Sequence, residues 1–287
     1  MSAIYRKEMK IYLSTPFGYA VMAVLLFFMG VFTVFFHFLS GTADFSYPLV
    51  AMEWVLLVTV PLLTMRSIAE ERHSQTDQLL YSLPLRLREI VLGKYLAMLT
   101  VFLLPTAVAA LYPLLLSAFG KLSLAAAYTA LFGYILLGAS LIAVCSFVSS
   151  LVENQILAAV LSIAVSLCFY LLDDFSSLLP TGALGSFLLC IVAALLCGVF
   201  LWRSSKSLNL GLLTALVLVL PLSVLYVVKA SLFEELAPRF ANVIALFGRF
   251  EAFAYGHFNI PATVLYLTVI AFFLFLTVRS MEKRRIS

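Results

Sequence analysis

From Thr64 to Ala97 the chain reads TMRSIAEERHSQTDQLLYSLPLRLREIVLGKYLA. Apolar blocks lie on both sides of it, Leu49 to Met65 before and Val91 to Ser117 after. The stretch between them, Arg66 to Glu89, is where charge and helical pattern concentrate together. Helical spacing aligns Ile68 with Thr76, Leu79 and Leu83, while Glu70, Glu71 and Arg72 extend the preceding helix as a polar stalk. Ser74 or Thr76 is placed to cap a new helix, with Asp77 completing a Ser-x-x-Asp capping pattern at the positive helix end. Pro84 stops it. The expected product is a short amphipathic helix, Asp77 to Leu83, presenting Leu79, Leu80 and Leu83. Two readings fit that pattern: a helix resting on lipid headgroups, or a docking ridge for the groove of another protein.

The flanking blocks are part of a larger series. The chain is 64% hydrophobic and 11% charged over 287 residues, against about one half and one quarter in soluble domains. Its apolar blocks are close to the roughly 20 residues a bilayer core requires. Eight candidate spans follow: Phe17 to Leu39, Leu49 to Met65, Val91 to Ser117, Leu124 to Phe147, Ile156 to Leu172, Leu184 to Trp202, Leu208 to Val228 and Pro261 to Val278. The fold class is therefore an all-α polytopic membrane protein with about eight transmembrane helices and a single membrane domain, residues 1–287.

Charge fixes the expected orientation. With eight crossings and a cytoplasmic N-terminus, fourteen of the eighteen basic residues fall on the cytoplasmic side, including Arg6, Lys7, Arg66, Arg72, Arg86 and Lys94. Only Lys121, Lys229, Arg239 and Arg249 fall opposite. This obeys the positive-inside rule and places both termini inside. Topology thus accounts for the net charge of +4, and no basic, aromatic-interleaved surface suggests nucleic acid. The first fifteen residues resemble a signal peptide only superficially, because the apolar block is too long and lacks a small-residue cleavage site.

Several chemistries are argued against by the residues. The span centres carry no Asp, Glu, Lys, Arg or His, each of which costs about 2.5–3.5 kcal/mol there on insertion scales. This opposes an ion-coupled carrier. Glu53, beside Trp54, reads as interfacial, and His37 lies at a span end. Cys145, Cys168, Cys190 and Cys197 lie in apolar blocks without metal-ligand spacing and read as packing residues. Glu70 and Glu71 resemble a membrane-protease pair, but the Arg such enzymes need four residues later is Gln75, and no base stands near a nucleophile. Gly93 and Lys94 lack the earlier glycine of a phosphate-binding loop. A secondary carrier or a non-transporting scaffold remain the alternatives.

At this point a family resemblance becomes specific. Thr64, Met65, Arg66, Ala69, Glu70, Glu71, Arg72, Thr76, Leu79, Leu80 and Pro84, then Ile90, Val91, Leu92, Gly93, Lys94 and Tyr95, resemble the signature of type-2 ABC exporter permeases. SSLVENQ, Ser149 to Gln155, RKEMKIYLSTPFGY at the start, FEAFAYGHF and FFLFLTVRSMEKRR are similar to the gliding-motility-type branch. Leu184 to Val228 departs from the pattern as an extra membrane hairpin beside the usual six spans, and Gln75 stands where a Gly is common.

The resemblance implies a permease in the bacterial cytoplasmic (inner) membrane, moving an unidentified substrate. It implies pairing with a second permease subunit and with a cytoplasmic ATP-binding-cassette subunit that carries ATP and Mg. No cofactor is expected on this chain. An extracytoplasmic auxiliary protein and membrane lipid complete the expected partners. The coupling residues it implies are Arg66, Glu70, Glu71, Arg72, Thr76, Asp77, Leu79, Leu80, Leu83 and Pro84. Glu153, Asn154 and Gln155 form a second cytoplasmic contact.

Two flanking segments have readings of their own. Residues 1–16 form an interfacial elbow helix ended before Pro16, with Ile4, Met9, Ile11 and Tyr12 on its apolar side and Arg6, Lys7 and Lys10 on the other. Residues 229–260 mix Phe233, Phe240, Phe247, Phe250, Phe253 and Phe258 with charge, a spacing that suits short helices dipping into the outer leaflet.

Overall fold

A computed structural model of the chain describes residues 1–41, 44–73, 87–118, 121–179, 182–189 and 245–286, with individual positions between 191 and 234. The expected docking helix, Asp77 to Leu83, lies outside the described residues, as do Thr76, Pro84 and the Arg72 side chain.

The first corner is set by proline chemistry. Helix α1 (Ser2–Ser14) ends at Thr15, whose extended backbone, φ −101° and ψ 146°, is the conformation a residue before proline favours. Pro16 then opens α2 (Pro16–Thr33), where a missing N–H removes no helical hydrogen bond. The Thr15 backbone N–H and hydroxyl both donate to the Ile11 carbonyl, at 3.1 and 2.9 Å. A Cβ at residue 18 would collide with the Tyr12 carbonyl, so Gly18 is what lets α2 start this close to α1.

The chain continues from α2 through a π-helical stretch, Val34–Leu39, into α3 (Ser46–Met65) and the short α4 (Ala69–His73). It resumes as α5 (Leu87–Ala109) and α6 (Tyr112–Ser117). Two long helices follow, α7 (Leu124–Leu151) and α8 (Gln155–Leu178). The last are α9 (Gly248–Ala254) and α10 (Ile260–Ile286). The described residues contain no strand.

Six stretches among the described residues are long and apolar enough to cross a membrane: Pro16–Leu39, Ser46–Glu71, Leu87–Ser117, Leu124–Leu151, Gln155–Leu172 and Ile260–Lys283. They coincide with six of the eight spans expected from sequence. The other two, Leu184 to Trp202 and Leu208 to Val228, fall largely outside the described residues.

The chain divides into two compact units, Met1–Cys168 with Leu246–Ser287, and Phe169–Ala245. In the first, α7 is the axis, packing against α10, α3, α9 and α5. Its most apolar window is 83% buried, against 22% for those of α2, α8 and α10. That contrast identifies α7 as the core, and leaves apolar flanks on the other three for lipid or protein to cover. Within the second unit, Phe187 stacks on Tyr226 at 4.3 Å between centroids, and Phe233 meets both edge-on at 5.6 Å. This brings together positions near the two ends of the expected extra hairpin.

Candidate functional site

Where α1, α3, α4 and α5 converge, the apolar packing is replaced by an ionic junction. Gly93 of α5 lies against Ile4 of α1; a Cβ there would stand 3.0 Å from Ile4 Cγ2. That close approach sets the next residue, Lys94, directly under α1. Lys94 is 2% exposed, and its Nζ lies 2.9 Å from Glu8 Oε1, 2.9 Å from Glu71 Oε1 and 2.7 Å from the Ser67 carbonyl. An ammonium has three protons, and each has an acceptor here. Lys7 adds a second cation, 3.1 Å from Glu71 Oε1. Two lysines and two glutamates therefore neutralise one another: Lys94 and Glu8 are buried, Glu71 is mostly so, and Lys7 stands half-exposed at the edge, the pairing under which buried charge is tolerable.

Each partner comes from a different element. Glu8 belongs to α1, where Ile4, Glu8 and Tyr12 make one buried face at helical spacing. Of the side chains expected on the elbow's apolar side, Ile4 and Tyr12 are buried and Ile11 is exposed; Glu8 joins the buried face. The cause is Lys94, which draws the carboxylate inward. Ser67 lies in a break between α3 and α4, where its N–H donates to the Thr64 carbonyl at 3.0 Å and its own carbonyl accepts from Lys94. The expected continuous polar stalk is thus interrupted at 66–68. Glu71, expected as part of that stalk, turns into the junction, whereas Glu70 pairs with Arg66 at 3.3 Å. Arg66 also sits 4.7 Å over the Phe17 ring, a cation–π geometry.

Tyr12 closes the inner side, donating to the Leu63 carbonyl at 3.3 Å. Burial pushes its phenol well above the ordinary tyrosine range; the charges of Glu8 and Glu70 push the same way and Arg66 opposes them. A cavity of about 320 Å³ opens between α1 and the base of α3, lined by Lys7, Tyr12, Phe17, Arg66, Ser67 and Glu70 among others.

The second sequence-predicted contact, Glu153 to Gln155, lies in the turn between α7 and α8. Asn154 is occupied as a helix cap: its Oδ1 accepts from the Ile156 and Leu157 N–H groups at 2.8 and 3.4 Å. The end of α7 is tied to the junction, because Ser149 Oγ accepts from the first N–H of α4, that of Ala69, at 3.3 Å. Ser280 of α10 donates to the Ser150 carbonyl at 3.2 Å. Five helices, α1, α4, α5, α7 and α10, are thus fastened at this end.

At α9 the expected leaflet-dipping aromatics turn inward. Phe247, Phe250 and Phe253 are buried, Phe253 meeting Phe132, Phe258 and Tyr266 at 6.2–6.5 Å. Tyr266 donates to the Leu246 carbonyl at 2.7 Å. In the N-terminal half of α3, Trp54 is exposed and Glu53 is buried. Cys145 is buried and both it and Cys168 are free thiols. No group of three or more potential metal ligands occurs among the described residues.

Lys94, Glu8, Lys7 and Ser67 were not singled out as site residues from sequence. The available signal was a lysine four residues inside a span otherwise free of charge, together with a lone glutamate among the bases of the first helix.

Helices of this length and apolarity, wrapped around a buried axis and fastened at one end by ion pairs, define a multi-pass α-helical membrane protein. Residues 3–172 match the family described as ABC-2 family transporter protein. This is more than half of the chain, which therefore belongs to that family. It is accordingly the permease component of an ABC transporter, not itself an ATPase, and membership implies an ATP-binding subunit as partner. Comparison with curated proteins gives no match.

Proposed function

We propose that this permease couples ATP hydrolysis by a separate, cytoplasmic ATP-binding subunit to export of a substrate across the bacterial inner membrane, and that residues 76–84 are the docking element. In this reading the ionic junction and both termini face the cytoplasm, as the distribution of basic residues requires. Leu79, Leu80 and Leu83 seat in a groove of the ATPase, with Thr76, Asp77 and Pro84 setting the ends of the ridge. Arg66, Glu70 and Arg72 make polar contacts at its base. ATP and Mg remain on the partner, and this chain binds no cofactor. A second permease subunit covers the apolar flank of α8, and an auxiliary protein meets the opposite side. The motifs at Arg6 to Tyr19 and Ser149 to Gln155 favour the gliding-motility-type branch.

One observation supports the reading: the segment that would dock is entered five residues after Glu71 and left ten residues before Lys94, and those two side chains are joined. Displacement of that segment on docking would reach the Glu71–Lys94 pair, and Glu8 passes the movement to α1 and so to the first span. Glu153 and Gln155 supply a second contact, shaped by the Asn154 cap.

The experiment is co-purification of the ATPase with a Leu79→Asp/Leu80→Asp double variant. The variant inserts normally and releases the ATPase; undiminished co-purification overturns the docking assignment.

A further inference from the structure

The cavity between α1 and the base of α3 shares Lys7, Glu8, Glu71 and Lys94 with the ionic junction, and Arg66 and Glu70 at its mouth are the residues given polar docking contacts above. At about 320 Å³ it is in the size range of ligand sites, and its wall is mixed. Ile11, Tyr12 and Phe17 give apolar surface, while Arg66, Ser67 and Glu70 give polar groups. Three basic and three acidic side chains line it, so the wall carries no net formal charge. A multiply charged anion such as a nucleotide gains nothing from such a wall.

Ser67 supplies an independent sign that a ligand belongs here. Its Oγ is buried without a hydrogen-bond partner among the described residues, and the residue is 2% exposed. A buried hydroxyl left unmatched is costly and calls for an acceptor. At the mouth, Arg66 and Glu70 form a half-exposed i,i+4 pair that is weakly held. It presents a cation and an anion side by side.

We propose that this cleft binds the headgroup of a primary-amine zwitterionic phospholipid, of the phosphatidylethanolamine type, from the adjacent leaflet. The phosphodiester takes Arg66 and the Ser67 hydroxyl, the ammonium takes Glu70, and the glycerol and first methylenes lie on Phe17 and Ile11. The cleft lies beside Pro16, where the apolar stretch of α2 begins, and beside Arg66 to Glu71, the charged end of the α3 stretch, the part of a span that meets lipid headgroups. A choline headgroup has no N–H to donate to Glu70, and a headgroup of net negative charge leaves Glu70 unmatched. The inference needs only the membrane-surface position of this end, not ATPase docking.

The test is native mass spectrometry of the delipidated permease, without its ATPase, titrated separately with phosphatidylethanolamine, phosphatidylcholine, phosphatidylglycerol and soluble phosphoethanolamine. Phosphatidylethanolamine is retained about tenfold better than the other two lipids, as a charge-assisted bond supplies. Ser67→Ala lowers that retention about fivefold, as loss of one hydrogen bond does. Glu70→Gln, at the exposed mouth and harmless to folding, removes the preference over phosphatidylcholine and keeps total lipid. Equal retention of all three lipids, or wild-type selectivity in Glu70→Gln, overturns the proposal. Binding of soluble phosphoethanolamine as tightly as the lipid also overturns it, by making the ligand a free metabolite.

Discussion

Lys94 Nζ and Glu71 Oε1 stand 2.9 Å apart on opposite sides of the charged loop between the second and third spans. The contact closes the loop at its base. Because Glu8 Oε1 lies at the same distance from that nitrogen, the closure is also an attachment to α1. One ammonium therefore joins the loop's entry, its exit and the elbow helix.

Removing the ammonium leaves the buried Glu8 carboxylate without its near cation, and Glu71 held only by the half-exposed Lys7. Lys94→Met is expected to destabilise the permease by about 3–5 kcal/mol, the usual result of orphaning buried charge. Lys94→Met/Glu8→Gln regains a substantial part of that loss, since only Glu71 then needs Lys7. Thermal unfolding in detergent measures both; equal destabilisation in the single and double variants would deny that Glu8 depends on Lys94.

A gentler change separates holding the junction together from transmitting through it. Lys94→Arg keeps the charge, but a planar guanidinium cannot place three donors where an ammonium does. The variant is expected to fold and to retain the ATPase, while permease-dependent stimulation of ATP turnover falls about tenfold, near 1.4 kcal/mol of lost coupling. Turnover equal to wild type in reconstituted vesicles would show that displacement reaches the spans by another route.

Asn154 is a cap by geometry, whatever meets the turn around it. Asn154→Ala is expected to cost about 1 kcal/mol through the lost N-cap of α8 with ATPase co-purification retained. Glu153→Lys/Gln155→Lys weakens co-purification and leaves the melting temperature alone. The reverse pattern would make the Asn154 side chain itself the contact.

Most of the fold was legible because a bilayer leaves little choice: six of the expected spans recur within a few residues, and Thr15-Pro16 marked the first corner. The junction was not legible. Hydropathy averages over a window and cannot see that one lysine at a span's end meets a glutamate from a helix some eighty residues earlier. The place of Glu8 on the buried face of α1 was hidden for the same reason, since periodicity cannot know that Lys94 pulls it inward. Likewise, Phe250 and Phe253 looked interfacial from their charged neighbours, whereas packing against α7 buries them.

Tyr12 gives the junction a pH signature. Its folded pKa is raised, so the folded state holds the phenol proton where the unfolded chain, ionising near the ordinary value of about 10, has lost it. The sign follows: stability is fully present below about pH 10 and declines as pH rises further. Tyr12→Phe removes one proton's share of that decline, and unfolding midpoints at about pH 8 and pH 11 measure it. An identical alkaline decline in the variant would place the Tyr12 hydroxyl in water.

Gly93 tests whether the spacing between α1 and α5 sets the junction. Alanine improves helix propensity by about 0.8–1 kcal/mol, yet its Cβ would stand 3.0 Å from Ile4 Cγ2, so Gly93→Ala is expected to leave stability nearly unchanged. Gly93→Leu overpacks the contact, costing about 1–3 kcal/mol, and lifts Glu8 away from Lys94. Shortening the opposing side chain in Gly93→Leu/Ile4→Ala returns the space and brings the ion pair back. Stability and ATPase stimulation should then recover together, because both depend on one interhelical distance. Recovery of stability without stimulation would separate the packing of α1 from its part in coupling.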